Sequence, residues 1–471
     1  MKIILAYPNF KWKKDWEHST AWKLYPYNLC LLAAMVEDKH DVVIVDMNFD
    51  NSSKEDFSRI IEKEKPDLVC LSILTDEYQE TVLIASKTVK EINNSIKIII
   101  GGVSAISNPE PLISDESVDY VIVGEGEYAF KELCDYFNNE GKFPEKGVWH
   151  KKDSKIIKTG RVDFIQDLDA LPLPAYHKID FLKYAYQDRG NHIDNIKKLP
   201  YGHLYTSRGC PYNCNFCQVG KISGKKPRCR SPENVIKEIE FLIKNYNIKS
   251  LAVDDDNLLI NKDRAKKLFR IMIDKKFNLE WYALALAVYK LDEEMVDLME
   301  KSGCVYVDIA IESGVERILR DVIHKPVELN YARKMIKILK ETDIFVAANV
   351  IIGFPDETWP EIRQTLKFAE SLDVDYIKIN IATPLIGTEL FKITKEKSYN
   401  KNYSPDKHLW TESSIETKEF RTQDIRILRA YEWDRLNFTD PERRKKIIER
   451  MGITEEKLNE IRNKTFERAN P

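Results

Sequence analysis

The sequence predicts an α/β protein: a doubly wound, Rossmann-like N-terminal domain, then a partial (βα)6 barrel, then a helical C-terminal tail. Apolar runs rich in Ile and Val recur along the first 381 residues, separated by segments with helical spacing. The runs are continuous rather than alternating, which means burial on both faces and hence parallel sheets. A compact cysteine cluster, Cys210, Cys214 and Cys217, falls between the two sets of strand–helix units.

Size and composition set bounds. The chain has 471 residues, 43% apolar and 32% charged, with room for two or three domains. A net charge of −3 argues against a dedicated nucleic-acid binder. Met1 to Ala6 is too short for a signal-peptide core, and no apolar run reaches the roughly 20 residues that cross a bilayer. Eight cysteines without a paired framework imply a reducing compartment, and the expectation is a cytoplasmic protein.

Residues 1–145 carry five strand-like runs: Lys2–Tyr7, Asp41–Met47, Leu68–Ile73, Ile96–Ile100 and Tyr120–Val123. Helical spacing separates them at Tyr27–Glu37, Lys54–Lys65, Gln79–Ile92 and Glu127–Phe137, a doubly wound pattern. In such sheets a ligand sits at the carboxyl ends of the strands. Those ends hold Ser72 to Thr75, Gly101-Gly102, and Gly124-Glu125-Gly126, where glycines let a ligand approach the backbone. Each loop by itself also reads as an ordinary turn.

Residues 146–200 read as a connector, with a lysine-rich hairpin and the proline-punctuated strap Asp167–Pro174. Residues 201–395 return to strand–helix alternation. Strands are expected at His203–Thr206, Ser250–Val253, Leu279–Ala285, Val305–Ile311, Phe345–Ile352 and Tyr376–Ile381. Six units are too few to close the usual eight-stranded barrel, and chemistry is expected at the carboxyl ends of the strands. Those ends carry Asp254-Asp255-Asp256-Asn257, Glu312-Ser313-Gly314, Asn349 to Pro355 and Thr383 to Thr388. Three adjacent carboxylates repel, so ammonium, hydroxyl or backbone donors must compensate them; the alternative is an acidic cap on the next helix. The basic loop Lys221–Arg230 reads as solvated surface or as a steering patch for anions. Residues 396–471 are charged and helical, with Trp410, Tyr431 and Trp433 either capping the barrel or packing ordinarily.

The chemistry is carried by Cys210, Cys214 and Cys217, spaced C-x3-C-x2-C with Phe216 before the last. Thiolates are favoured ligands of iron–sulphur clusters. Four irons take four ligands, and this loop offers three, leaving one iron open. A zinc knuckle would need a second ligand pair, whereas the other cysteines are scattered singly. The motif resembles the signature of radical S-adenosylmethionine (SAM) enzymes. Together with the N-terminal domain, the chain resembles the cobalamin-dependent (B12) class of that family.

The resemblance implies a [4Fe-4S] cluster on the three thiolates, with SAM on the open iron. It places Phe216, Asp255, Glu312, Ser313 and Ile351 around SAM, Asp255 meeting its amino group. It places cobalamin over Ser72, Thr75, Gly101, Gly102, Gly124, Glu125 and Gly126. Many such domains carry Asp-x-His-x-x-Gly after the first strand, but Asp15 to Trp22 lacks that spacing. Base-off cobalamin with no histidine lower ligand is therefore expected, with Trp12, Trp16 and Trp22 as an apolar floor under the corrin or as rim packing. The implied activity is methyl transfer to an unactivated carbon of a small-molecule or natural-product substrate. The implied electron donor is a flavodoxin or ferredoxin, with no nucleic-acid or membrane partner. Ring cyclisation or rearrangement with the same cofactors is the alternative. A methylthiotransferase is disfavoured, because that class has further cysteines in its N-terminal domain. A non-enzymatic cobalamin sensor remains a different class.

Overall fold

The computed structural model describes residues 1–13, 25–153, 155–187, 193–400, 403, 411–412 and 414–470. The stretch from Asp15 to Trp22, and Trp410, lie outside them. The described residues fall into two compact units. The first takes Met1–Tyr184 with Lys221–Gly224; the second takes Ala185–Gly220, Lys225–Tyr403 and the C-terminal residues.

In the first unit, strands β1 (Lys2–Tyr7), β2 (Asp41–Asp46), β3 (Leu68–Ile73), β4 (Lys97–Gly102) and β5 (Tyr120–Ile122) form a parallel sheet. A hairpin, β6 (Val148–Lys152) and β7 (Lys155–Ile157), extends it antiparallel, giving the order β2-β1-β3-β4-β5-β6-β7. The lysine-rich hairpin read as part of the connector is thus built into this sheet. Alternate strand residues feed opposite faces. Ile4, Val69, Leu71, Ile98 and Ile100 join one core with helices α2 (Lys54–Glu64) and α3 (Gln79–Ile92). Ile3, Leu5, Leu68, Cys70 and Ile99 join another with α1 (Tyr27–Ala34) and α4 (Gly126–Phe137). Two cores on one sheet are why its strands read as unbroken apolar runs.

The second unit holds a parallel sheet of six strands among the described residues. They are β8 (Tyr201–Leu204), β9 (Ser250–Val253), β10 (Glu280–Leu286), β11 (Cys304–Glu312), β12 (Phe345–Ile352) and β13 (Tyr376–Ile381), paired in sequence order. Among the described residues no ladder joins β8 to β13, so the barrel is open. Helices α5 (Pro232–Tyr246), α6 (Lys262–Asp274), α7 (Glu293–Lys301), α8 (Leu329–Leu339) and α9 (Trp359–Ser371) connect the strands, and α10 (Glu389–Glu396) follows β13. Ser231 caps α5 at the Asn234 amide, with Pro232 in its first turn, as its Ser-Pro-Glu start predicts. Asn261, not the aspartate run, caps α6.

The tail forms α11 (Thr422–Phe438), α12 (Pro441–Met451) and α13 (Glu455–Ala469). Its first helix covers the free edge of β13. The buried Asn437 side chain accepts from Ile377 N at 2.8 Å and donates to Ile377 O at 2.9 Å, doing what another strand would do. Arg429 Nε donates to Ile379 O at 2.9 Å, and Trp433 Nε1 to the Tyr376 hydroxyl at 2.7 Å. Trp433 is therefore packing, while Tyr431 is exposed on Phe466. Replacing Asn437 by Ala leaves a buried peptide group at the edge unpaired. It should lower unfolding free energy by about 1–3 kcal/mol, read from urea denaturation midpoints.

Candidate active site

The cysteine loop begins two residues after the Thr206 hub, and the aspartate run after β9 holds it residue by residue. Asp254 pairs with His203 Nδ1 at 2.6 Å. Asp255 accepts from Thr206 N and Thr206 Oγ1 at 2.5 Å and from Ser207 Oγ at 2.8 Å. Asp256 accepts from Gly209 N at 2.7 Å. The Arg264 guanidinium closes the arrangement, donating to Thr206 Oγ1 and Thr206 O at 2.9 Å. Burial pushes the Asp255 carboxyl up, opposed by the Thr206 hydroxyl and by Arg264. The expected compensation of three carboxylates by hydroxyl and backbone donors is thus realised, with an imidazole added.

Asp255 thus holds the lead-in to the cysteines, Oδ1 accepting from one donor and Oδ2 from two. One expectation is corrected, that of the basic loop. Arg228 and Arg230 are buried, and Arg230 bonds Glu238, Asn234 and Tyr205 O, so neither is solvated surface. Lys221 donates to Ser107 O at 2.9 Å within the first unit.

Further contacts fix the loop. Asn215 N donates to Ile323 O at 3.0 Å, Leu390 N to Asn215 O at 2.8 Å, and Gln218 Nε2 to Ile386 O at 2.9 Å. Asn257 Nδ2 lies 3.8 Å from Cys210 Sγ. Phe216 approaches Phe354 after β12, ring centroids 6.1 Å apart, which brings the residue before the last cysteine beside the Ile351 strand end. Cys210 and Cys214 are half-buried and Cys217 exposed. Burial pushes the Cys214 thiol up to about 11, with Lys325 pulling the other way. Among the described residues no three Cys, His, Asp or Glu side chains converge on one metal-sized point, as befits thiolates that would each take a separate iron of a cluster.

Glu312 ends β11 with φ +72, a left-handed conformation that costs a non-glycine residue about 1–3 kcal/mol. Its Oε1 accepts from the buried Lys325 at 2.6 Å, while Oε2 is buried with no partner. Lys325 was not foreseen: it lies thirteen residues on, in a turn with no motif. Ser313 faces away, its hydroxyl 3.0 Å from Thr365 Oγ1 on α9. Gly314 lets α9 approach, since a Cβ there would meet Phe368 Cβ at 2.3 Å.

In the first unit the strand ends carry a distinct set. Asn28 Nδ2 donates to Ser72 Oγ at 2.9 Å, and Asn28 also meets the Tyr7 hydroxyl, at the β1/β3 switch point of the sheet. Thr75 Oγ1 and Ser104 Oγ are buried without partners, and a Cβ at Gly101 would enter open space. Gly102 is required by packing, as a Cβ would meet Ile73 O at 2.4 Å. Gly124, φ +135, makes way for Val162, and Gly126 is in ordinary contact. Glu125 accepts from Ile165 N at 2.7 Å, so it ties down the connector. Bare backbone at Gly101 with two unsatisfied hydroxyls fits a flat ligand with polar substituents.

An open parallel barrel headed by a three-cysteine loop, joined to a doubly wound unit of this kind, defines a radical SAM enzyme with a B12-binding domain. Residues 204–369 match the model of the Radical SAM superfamily, and residues 19–134 that of the B12 binding domain. An uncharacterized methyltransferase of Pyrococcus horikoshii is 32% identical over 402 residues, 85% of either chain. The cytidylyl-2-hydroxyethylphosphonate methyltransferase of Streptomyces wedmorensis is 30% identical over 72% of this chain and 68% of its own. An anaerobic magnesium-protoporphyrin IX monomethyl ester cyclase of Rubrivivax gelatinosus is 26% identical over 76% of this chain and 63% of its own. In fold, the radical SAM methyltransferase TsrM from Kitasatospora setae superposes with a TM-score of 0.70 at 17% identity, covering 86% of this chain and 79% of that one. The chain belongs to the cobalamin-dependent radical SAM family. No described helix is long and apolar enough to cross a membrane.

After β12, Glu357 accepts from Gly353 N at 2.7 Å and Phe354 N at 3.2 Å, forming the turn that carries Phe354. Burial pushes its carboxyl up from 4.5 to about 8. The folded state therefore holds this proton more tightly than the unfolded chain, and stability falls as pH rises between about 4.5 and about 8. Glu357→Gln keeps an acceptor for the two amides and should flatten that slope, measured by thermal melts at either end of the window.

Proposed function

We propose that this chain transfers a methyl group to an unactivated carbon of a small molecule. The observation that carries the reading is the three-cysteine loop at the head of the open barrel, in a chain whose relatives at 30% identity or more are named methyltransferases. Methyl transfer is favoured over cyclisation because the cyclase relative is more distant. Cys210, Cys214 and Cys217 would hold the cluster, with Asp254, Asp255, Asp256 and Arg264 fixing their loop. Glu312 Oε2 offers an open, buried acceptor of the kind an ammonium group takes, and the Lys325 contact to Oε1 orients that carboxylate. Phe216, Phe354 and Ile351 supply an apolar wall for a planar base.

In the first unit Thr75, Ser104 and the bare backbone at Gly101 would hold cobalamin. The absence of a histidine below the cobalt rests on the sequence of residues 15–22. When bound, the cluster with SAM supplies hydrogen abstraction from carbon, and cobalamin supplies the methyl group. The electron is delivered by a flavodoxin or ferredoxin, in a cytoplasmic setting.

Anaerobic reconstitution with iron, sulphide and cobalamin, followed by assay of SAM products, tests the reading. Methyl transfer yields S-adenosylhomocysteine together with 5′-deoxyadenosine, whereas cyclisation yields 5′-deoxyadenosine without it. Cys214→Ala should lower bound iron severalfold and abolish 5′-deoxyadenosine formation while cobalamin binding persists. Zinc in place of iron, or indifference to added B12, would overturn it.

A further inference from the structure

The inner face of the barrel carries a column of polar groups with unmet hydrogen bonds. On β11, β12 and β13 the residues Val307, Ile309, Val346, Ala348, Ile377 and Ile379 are buried apolar and face the helices. Strand alternation turns Tyr306, Asp308, Ala310, Asn349, Lys378 and Asn380 toward the barrel axis. Register places Asp308 beside Ala347 and Asn349 beside Lys378. Lys378 reaches across β12, over the small Ala347, to bond Asp308 Oδ2 at 2.6 Å. Asn380 Nδ2 donates to Asn349 Oδ1 at 2.7 Å.

Four facts distinguish this set from a structural ion pair. Asp308 is 6% exposed and Tyr306 fully buried, yet Asp308 Oδ1 and the Tyr306 hydroxyl have no partner. The Lys378 side chain keeps 26% of its surface accessible, and Ala310, Asn349 and Asn380 also retain accessible surface, so the lumen is hollow at this level. The floor is sealed by Arg450 of α12, whose guanidinium lies 5.0 Å from the rings of Tyr282 and Tyr306. At the carboxyl end of the same column stands the open oxygen of Glu312.

We propose that Asp308, Lys378, Asn349 and Asn380 are the substrate-recognition residues of the barrel, and that they take a small molecule presenting neighbouring hydroxyl or amino groups with no net charge. This rests on the methyltransferase reading given above. Lys378 and Arg450 stand against Asp308 and Asp194 around this level, two charges of each sign, so the set carries no net charge to select an anion. The open Asp308 oxygen demands an O–H or N–H donor, and the two amides retain a donor and an acceptor each. An apolar ring in this place would leave Asp308 Oδ1 and the Tyr306 hydroxyl unsatisfied, at about 1–3 kcal/mol each. Sites built on such groups reject analogues that lack them far more strongly than apolar pockets do.

The test is equilibrium dialysis of the full chain, loaded with cluster and cobalamin, against four mixtures: neutral monosaccharides, neutral amino acids, mononucleotides, and apolar sterols. Retained compounds are identified by mass spectrometry. Retention from a neutral polar mixture is expected, and which of the two separates sugar from amino acid. The double variant Asp308→Asn/Lys378→Met, which removes one charge of each sign, should weaken that retention about tenfold or more. Its iron and cobalamin content should match the parent, which excludes misfolding. Retention from the nucleotide or sterol mixture instead, no retention from any mixture, or unchanged retention in the variant overturns the proposal. Methylation is read separately as S-adenosylhomocysteine formed with the retained compound. Retention without it contradicts the methyltransferase reading while leaving the recognition set standing.

Discussion

The second unit depends on three consecutive carboxylates meeting a short stretch of loop. Like charges at neighbouring positions normally splay apart, and each here finds its own donor: an imidazole, a pair of hydroxyls with an amide, and a glycine amide. Thr206 is the hub, giving its hydroxyl proton to Asp255 and accepting from Arg264. A hydroxyl has one proton to donate, so this double role fixes its rotamer. The lead-in to the cysteines is thereby set from one side by the end of a neighbouring strand and from the other by a helix. The contacts of Asn215 and Gln218 with the segments after β11 and β13 hold the other end of the loop.

Strand and helix placement was largely legible in the sequence. Ser250–Val253, Phe345–Ile352 and Tyr376–Ile381 stand where their Ile- and Val-rich runs put them, since burial on both faces leaves a signal that needs no partner to interpret. The family, too, was carried by local spacing at Cys210, Cys214 and Cys217. What each polar residue bonds was not legible. Asp255 looked like an acceptor for a ligand and turned out to hold Thr206 and Ser207. Arg230 looked like surface and is buried on Glu238. Lys325 and Asn437 carried no signal, because their partners are brought near by topology rather than by sequence spacing.

The glycines divide along physical lines. Gly101 faces open space at a strand end, whereas Gly102 and Gly314 are dictated by close passage of another segment. A glycine-rich loop is therefore a mixture of open and packing positions, separable once the neighbours are known. The same holds for the hydroxyls: Ser72 is spoken for by Asn28, while Thr75 is not.

Asn437 and Arg429 give the C-terminal helices a role beyond enclosure. An open barrel exposes a β-edge able to recruit a stray strand, and here that edge is occupied by side chains from a helix. A chain cut short before this helix would present bare ladder groups, inviting self-association. The inward surface of the tail thus answers to the last strand, and its side chains stand where a further strand would pair.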